Sequence, residues 1–494
     1  MKTRNSILLA IAMLLLPVIF TACASTSGPK VVIPPPIVGA SISDTTHSGT
    51  VKGTMLEGHT YYMDNDFIIN KGDTLLIQDG VTVIVRGASL TNFPEFQVYG
   101  TMICNGTKAA PIYITVDPSK RTYKNLQNGL WGGIQCAATS GDLIIKWTHL
   151  EYGGGAGSSV GKGANAYVIF FQNQNSPVAN FIMEDSWVTG ATDDPIRVSG
   201  GHISYMRNVM EAGSTTSGDG LNIKSGVQGD AAFNLFIGDC TNGPKLANKG
   251  GLSQTNVNFY NNTMVTCGWR FVGGGRAGST NIEDGARGIE YNNLIINCYS
   301  GFRLVNNPLA DSADVAYDYQ WCYANNDTSM ANMYPGANNS GCEVPRPNDR
   351  CDTKNLGAHN PMFAGYNVDA IPASIFNTYP IAWAAMDPRE NVMKTSDSRG
   401  TRFSDLAALF PSTSSFTSNF NLQSGSPCVG TAYSGPTVTT PSGKVTISVP
   451  MAIVPLKSAS NPYGASLANG NGGIQGLGKD FGAYQTDGTG NQQQ

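Results

Sequence analysis

Arg207-Asn208-Val209-Met210, Phe233-Asn234-Leu235-Phe236, Asn261-Asn262-Thr263-Met264 and Asn292-Asn293-Leu294-Ile295 are four versions of one phrase. The second residue is asparagine each time, at 208, 234, 262 and 293, in steps of 26, 28 and 31 residues. A short apolar or β-branched stretch follows, then a polar or glycine turn, then another short apolar stretch, which is the pattern of a coil built from strands. One coil cannot bury its own apolar side chains, so the stack of coils is the structural unit. In such a stack, equivalent positions lie roughly 4.8 Å apart. An inward asparagine can then bond the backbone and the amide of its neighbours above and below. Asn208, Asn234, Asn262 and Asn293 are therefore expected to form a structural ladder, which Asp185, 23 residues before Asn208, could extend.

Composition points the same way. The chain of 494 residues holds 58 glycines and only 13% charged residues, and long runs of helix formers are missing. A formal net charge of −4 gives no basic excess for a nucleic-acid partner.

Residues 1–22 have a separate expected role. Lys2 and Arg4 precede an apolar stretch from Ile7 to Phe20, short for a membrane span, and Phe20-Thr21-Ala22 leads directly to Cys23. This resembles a bacterial lipoprotein signal, which implies that Cys23 becomes the lipid-modified first residue of the mature protein. Residues 23–59, with the Pro34-Pro35-Pro36 run, are expected to form a tether and an N-terminal cap. The expected location is the outer membrane, lipid-anchored, at the cell surface rather than on the periplasmic face.

Of ten cysteines, nine remain once Cys23 is set aside. Cys342 and Cys351 sit close together in a Pro/Asn-rich stretch and are the disulfide candidates, with Cys322 as competitor. Cys267 and Cys298 follow their ladder asparagines by five positions each and are expected to stack as small buried hydrophobes. No CxxC or HxxxH pattern suggests a metal site.

The opening coils are expected from residue 60. Leu75 to Val83 and Phe96 to Met102 alternate apolar and polar residues around glycine turns. Gly100-Thr101, Asn105-Gly106-Thr107, Ala110-Pro111-Ile112-Tyr113-Ile114-Thr115 and Gly129-Leu130-Trp131-Gly132-Gly133-Ile134 follow in that order. Near the other end stand Asn360-Pro361-Met362-Phe363, Phe420-Asn421-Leu422-Gln423, Ser426-Pro427 and Asp480-Phe481-Gly482-Ala483-Tyr484. Together these segments resemble the pectin-lyase-like superfamily, particularly envelope lipoproteins of Bacteroidota. The resemblance implies an all-β, right-handed parallel β-helix over residues 60–486. An irregular insertion is expected at about 365–418 and a disordered Gly/Gln tail over 487–494.

A second recurrence carries charge. Ile196-Arg197-Val198, Ile223-Lys224-Ser225, Pro244-Lys245-Leu246, Trp269-Arg270-Phe271 and Phe302-Arg303-Leu304 each place a cation beside apolar residues, at intervals of 27, 21, 25 and 33. Stacked as a stripe, five like charges require counter-charges or an anionic ligand. Asp193, Asp194, Asp219, Asp239, Glu283 and Asp284 lie near enough in sequence to neutralise them on a solvated face. The functional alternative is a groove for an acidic polysaccharide, with Arg197, Lys224, Lys245, Arg270 and Arg303 holding carboxylates and Trp269 supplying a ring. Trp187, Tyr299 and Phe302 are further ring candidates.

Three function classes follow. The first is a non-catalytic binder of extracellular glycans, or an accessory subunit of an outer-membrane complex, with no cofactor. The second is a lyase acting on a uronate polysaccharide, as the resemblance allows. There, Ca²⁺ would be held by Asp193, Asp194 and Asp219, and Lys224, Lys245 or Arg270 would act as base. No R-x-P-x-x-R pattern is present, and the Gly-Asp-Asp element of related hydrolases is only approached by Ser217-Gly218-Asp219-Gly220. A structural or adhesive surface protein is the third class.

Overall fold

Strand residues of this chain alternate between two surroundings, one side chain turned into an apolar bore and the next turned out. In the coil Ile196–Ser199, His202–Met206, Val209–Glu211, the inward residues Ile196, Val198, Ile203, Tyr205 and Met210 are all buried. Every third strand hydrogen-bonds to the next, in parallel, and three sheets of 10, 10 and 11 strands result. The computed structural model describes residues 39–121, 125–157, 160, 167–173, 179–211, 213, 217–271, 277–305, 314–334, 344–369, 371, 373–377, 419–451 and 475–493. The architecture is a right-handed parallel β-helix, the fold that the resemblance implied. Cys23, the expected signal, residues 23–38 of the expected tether and cap, and most of the expected insertion lie outside the described residues.

Inside the bore, like residues stack. Phe67 meets Phe96 at 5.6 Å, Phe96 meets Trp131 at 6.4 Å and Phe171 meets Phe181 at 5.7 Å. Gly288 stands in the inward column after Val257, with φ of +149°. A Cβ there would lie 1.8 Å from the Val257 carbonyl oxygen, so no larger residue fits.

From Asp185 on, the turn between the second and third sheets is two residues long, and its first residue has positive φ in six coils, at Asp185, Arg207, Phe233, Asn261, Asn292 and Tyr319. Trp147 fills the corresponding turn one coil earlier by itself, also with positive φ. In four coils the second residue is the ladder asparagine. Asn208 Oδ1 accepts from Ser186 N at 3.0 Å, and Asn234 Oδ1 accepts from Asn208 N at 2.8 Å and Asn208 Nδ2 at 3.2 Å. Asn262 and Asn293 repeat the pattern, and Asn293 Nδ2 ends the series on Glu290 Oε2 at 2.6 Å. The ladder position in the earlier coil is Ser186. Asp185, the sequence candidate for it, occupies the left-handed position before the ladder.

Three further expectations are corrected. The first coil begins at Gly49–Thr50 and Gly53–Met55, not at residue 60, because strands of two or three residues are too short to show alternation. The disulfide joins Cys322 to Cys351, register partners on adjacent strands of the third sheet, while Cys342 lies outside the described residues. Finally, residues 487–493 are not a loose tail. Asn491 Nδ2 donates to the carbonyls of Asn208 and Phe233, both at 3.1 Å, and the Gln493 amide donates to the Asp185 carbonyl. Left-handed turns aim these carbonyls outward, and amide side chains are suited to satisfying them.

The second sheet is covered on its outer face by the hairpin Thr437–Thr439 and Thr446–Ser448. Val438 and Val449 pack there with Phe233, Tyr260, Ile289 and Tyr291. Asp230 lies beneath this cover, accepting from Met451 N at 2.9 Å and Asn258 Nδ2 at 2.9 Å. Burial pushes its carboxyl up to about 7, and burial likewise pushes Glu184 up to about 7 although Arg207 stands 3.4 Å away. Both groups hold a proton more tightly when folded than when unfolded. Their contribution to stability is therefore complete below the ordinary carboxylate pKa of about 4 and is lost as pH rises through about 7. The melting temperature is expected to fall between about pH 4 and pH 7. Calorimetry should show a smaller fall for Asp230→Asn, and an unchanged fall would remove Asp230 as a source.

Candidate functional site

On the outer face of the first sheet, Phe170, Arg197, Asn222, Lys245, Asn281 and Arg303 stand in register on successive strands. Cations and asparagines alternate along this column, so no two of its cations are on adjacent strands. Lys224 lies one residue past the end of its strand, Asp219–Ile223, and Asn222 takes the place expected for it. Arg270 is elsewhere, buried in a turn, donating to the carbonyls of Gly238 and Gly213. Trp269 is buried beside it with Nε1 on the Asn297 carbonyl at 2.7 Å and its ring against Tyr299 and Phe376. The structure thus brings Arg197, Lys245 and Arg303 into one column, sets Lys224 beside it, and separates Trp269 and Arg270 from it.

Acids and amides occupy the spaces between the cations. Arg197 Nη1 bonds Asp194 Oδ2 at 3.4 Å and Tyr167 Oη at 3.0 Å, with the guanidinium 5.3 Å from the Tyr167 ring. Lys245 Nζ pairs with Glu283 at 2.8 Å and Asp219 at 3.7 Å. Asp194 accepts from Asp219 N at 2.8 Å and from Asn222 Nδ2 at 2.7 Å, and Asp219 accepts from Asn242 Nδ2 at 2.7 Å. Burial, reinforced by the charges of Asp219 and Asp193, raises the Asp194 pKa. Asp194 and Asp219 are thus buried and committed to amide bonds, and they do not face one another across an open groove. Among the described residues no three His, Cys, Asp or Glu side chains are grouped to hold a metal ion.

Lys224 differs from its neighbours. It is half-buried, and its ammonium makes no hydrogen bond or ion pair among the described residues. Burial, then the charges of Lys245 and Arg197, lower its pKa to about 8. The arrangement places a solvent-touching cation between the coils of Arg197 and Lys245, each of which is paired with an acid.

Asn222, Asn242, Asn281 and Tyr167 were not singled out in the sequence. A signal was present: in Leu221-Asn222-Ile223 the polar residue is flanked by two apolar ones, as Arg197 is in Ile196-Arg197-Val198, and that flanking marks the outward position. Comparison with protein-family models, with curated proteins and with solved structures gives no match.

Proposed function

We propose that the protein is a lipid-anchored β-helix of the bacterial envelope, pectin-lyase-like in type, that binds an anionic extracellular polysaccharide without cleaving it. It would serve directly as a surface glycan binder or as the glycan-holding subunit of an outer-membrane complex. Lys224 carries this reading: an ammonium with no partner among the described residues, beside a partly exposed Arg197, is the arrangement an incoming carboxylate stabilises. Bound carboxylate would favour the charged lysine, so affinity falls as pH rises through about 8. In affinity electrophoresis against polygalacturonate, Lys224→Ala is expected to weaken retention roughly tenfold, in line with one lost charge-assisted hydrogen bond. Unchanged retention would sink the assignment.

The same lowered pKa favours a second reading, a uronate lyase in which neutral Lys224 removes the proton next to the carboxylate. The two readings have opposite pH dependence. Release of unsaturated uronide that rises through about pH 8 would establish cleavage.

A further inference from the structure

At the C-terminal end of the helix, Trp321 and Arg350 are register partners on the last two strands of the third sheet. The next residue on each strand is a cysteine, and the two are joined as Cys322–Cys351. Beside them opens a cleft of about 310 Å³ whose lining also includes Asn348, His359, Thr431 and Phe481. Its apolar wall is made by Trp321 and Phe481, with ring centroids 5.2 Å apart.

Arg350 is exposed, and the one hydrogen bond of its guanidinium among the described residues runs from Nη1 to the Asp349 carbonyl at 3.1 Å. The neighbouring acids are engaged elsewhere. Asp349 accepts from Gln320 N, Tyr334 Oη and Arg346 N, each at 2.9 Å. Asp318 accepts from Tyr319 N at 2.8 Å and Asn348 Nδ2 at 2.8 Å. Asp352, the acid beside His359, accepts from Lys354 N and Asn355 N. No carboxylate among the described residues forms an ion pair with Arg350.

The backbone here is also unusual. Eleven of the thirteen non-glycine residues with positive φ lie in the turns between coil strands, and the two that do not are His359 and Met362. His359, with φ of +60°, is held by the Trp321 indole, whose Nε1 donates to its carbonyl at 2.6 Å. Strain of this kind collects at ligand clamps.

We propose that this cleft binds the carboxylate-bearing ring of a single acidic sugar. Arg350 grips the carboxylate with its planar fork, His359, Asn348 and Thr431 meet hydroxyls, and the buried Trp321–Phe481 pair backs the cleft as a rigid apolar support. The volume is at the small end of ligand pockets, about 300–1,000 Å³, which suits one ring. Because the cleft lies on the third sheet and Lys224 beside the first, the assignment stands whether or not Lys224 holds a glycan.

Saturation-transfer NMR and calorimetry on the full-length protein in detergent, with galacturonate and galactose as probes, test this. Galacturonate is expected to bind and galactose to bind far more weakly. Arg350→Ala is expected to reduce galacturonate affinity roughly ten- to a hundredfold, with Arg350→Lys intermediate because it keeps charge but loses the fork. Unfolding is followed in parallel. If Arg350→Ala lowers the melting temperature, Arg350→Gln gives the same comparison at nearly native shape. Equal binding of the two sugars, no galacturonate binding, or affinity unaltered in the Arg350 variants overturns the proposal. So does a loss that follows Lys224→Ala instead.

Discussion

Asn234→Ala is expected to cost about 3–5 kcal/mol of stability, since four buried hydrogen bonds are lost and the groups left behind have no water to turn to. Asn234 accepts from Asn208 N at 2.8 Å and Asn208 Nδ2 at 3.2 Å, and donates to Asn262 Oδ1 at 3.0 Å and the Tyr205 carbonyl at 2.9 Å. Its side chain is almost fully buried. The damage extends beyond one coil, because the Asn208 backbone loses its acceptor and Asn262 loses a donor. In a solenoid, that weakens the interfaces on both sides of the altered repeat. Urea denaturation measures the loss. Asn234→Asp should fall between alanine and wild type, because it keeps the acceptor of the Asn208 bonds and surrenders only the donors. A loss below about 1 kcal/mol for alanine would mean that the ladder is ornamental to stability.

Arg207→Ala is expected to be comparably severe, at about 3–5 kcal/mol, by leaving buried carboxylates without their cation. Arg207 bonds Asp185 through Nε at 2.8 Å and Nη2 at 3.0 Å, and all three members of its cluster with Glu184 are buried. Nη1 reaches Gln475 Oε1 at 3.0 Å, so the same guanidinium also fastens the returning C-terminal segment. Removal would push Glu184 further towards its protonated form, since the Arg207 charge is the largest influence lowering its pKa. The variant should accordingly recover part of its stability in acid. Pairing it with Asp185→Asn should restore part of the loss by removing the orphaned charge. A double-mutant cycle reads that coupling, and strict additivity of the two changes would refute the account.

Much of this was legible in the chain. The ladder could be read because asparagine is rare enough, and its spacing regular enough, to stand out against the apolar background. The basic residues could not be aligned as securely. Intervals of 21 to 33 residues absorb variable turns, so spacing alone cannot distinguish Asn222 from Lys224 as the register partner of Arg197. What settles it is local, since the outward residue sits between two inward ones. Arg270 fell out of the column for a related reason: Trp269-Arg270-Phe271 belongs to a turn, where period-two alternation does not apply. The cleft around Arg350 and His359 has no sequence signature, because its walls come from segments far apart in the chain, two of them joined by Cys322–Cys351 rather than by the Cys342–Cys351 pair that spacing favours.

The bonds made by Asn491 and Gln493 also bear on the order of synthesis. Gln493 reaches back 308 positions to Asp185, and Asn491 reaches 283 positions to Asn208. Coils can add one upon another as the chain emerges, each needing only its predecessor. The outward carbonyls of these turns must wait, with water as their partner, until residues 491 and 493 are made. A chain cut short before residue 475 could stack its coils but could not close this seam. Residues 491 and 493 thus fasten turns made hundreds of residues earlier.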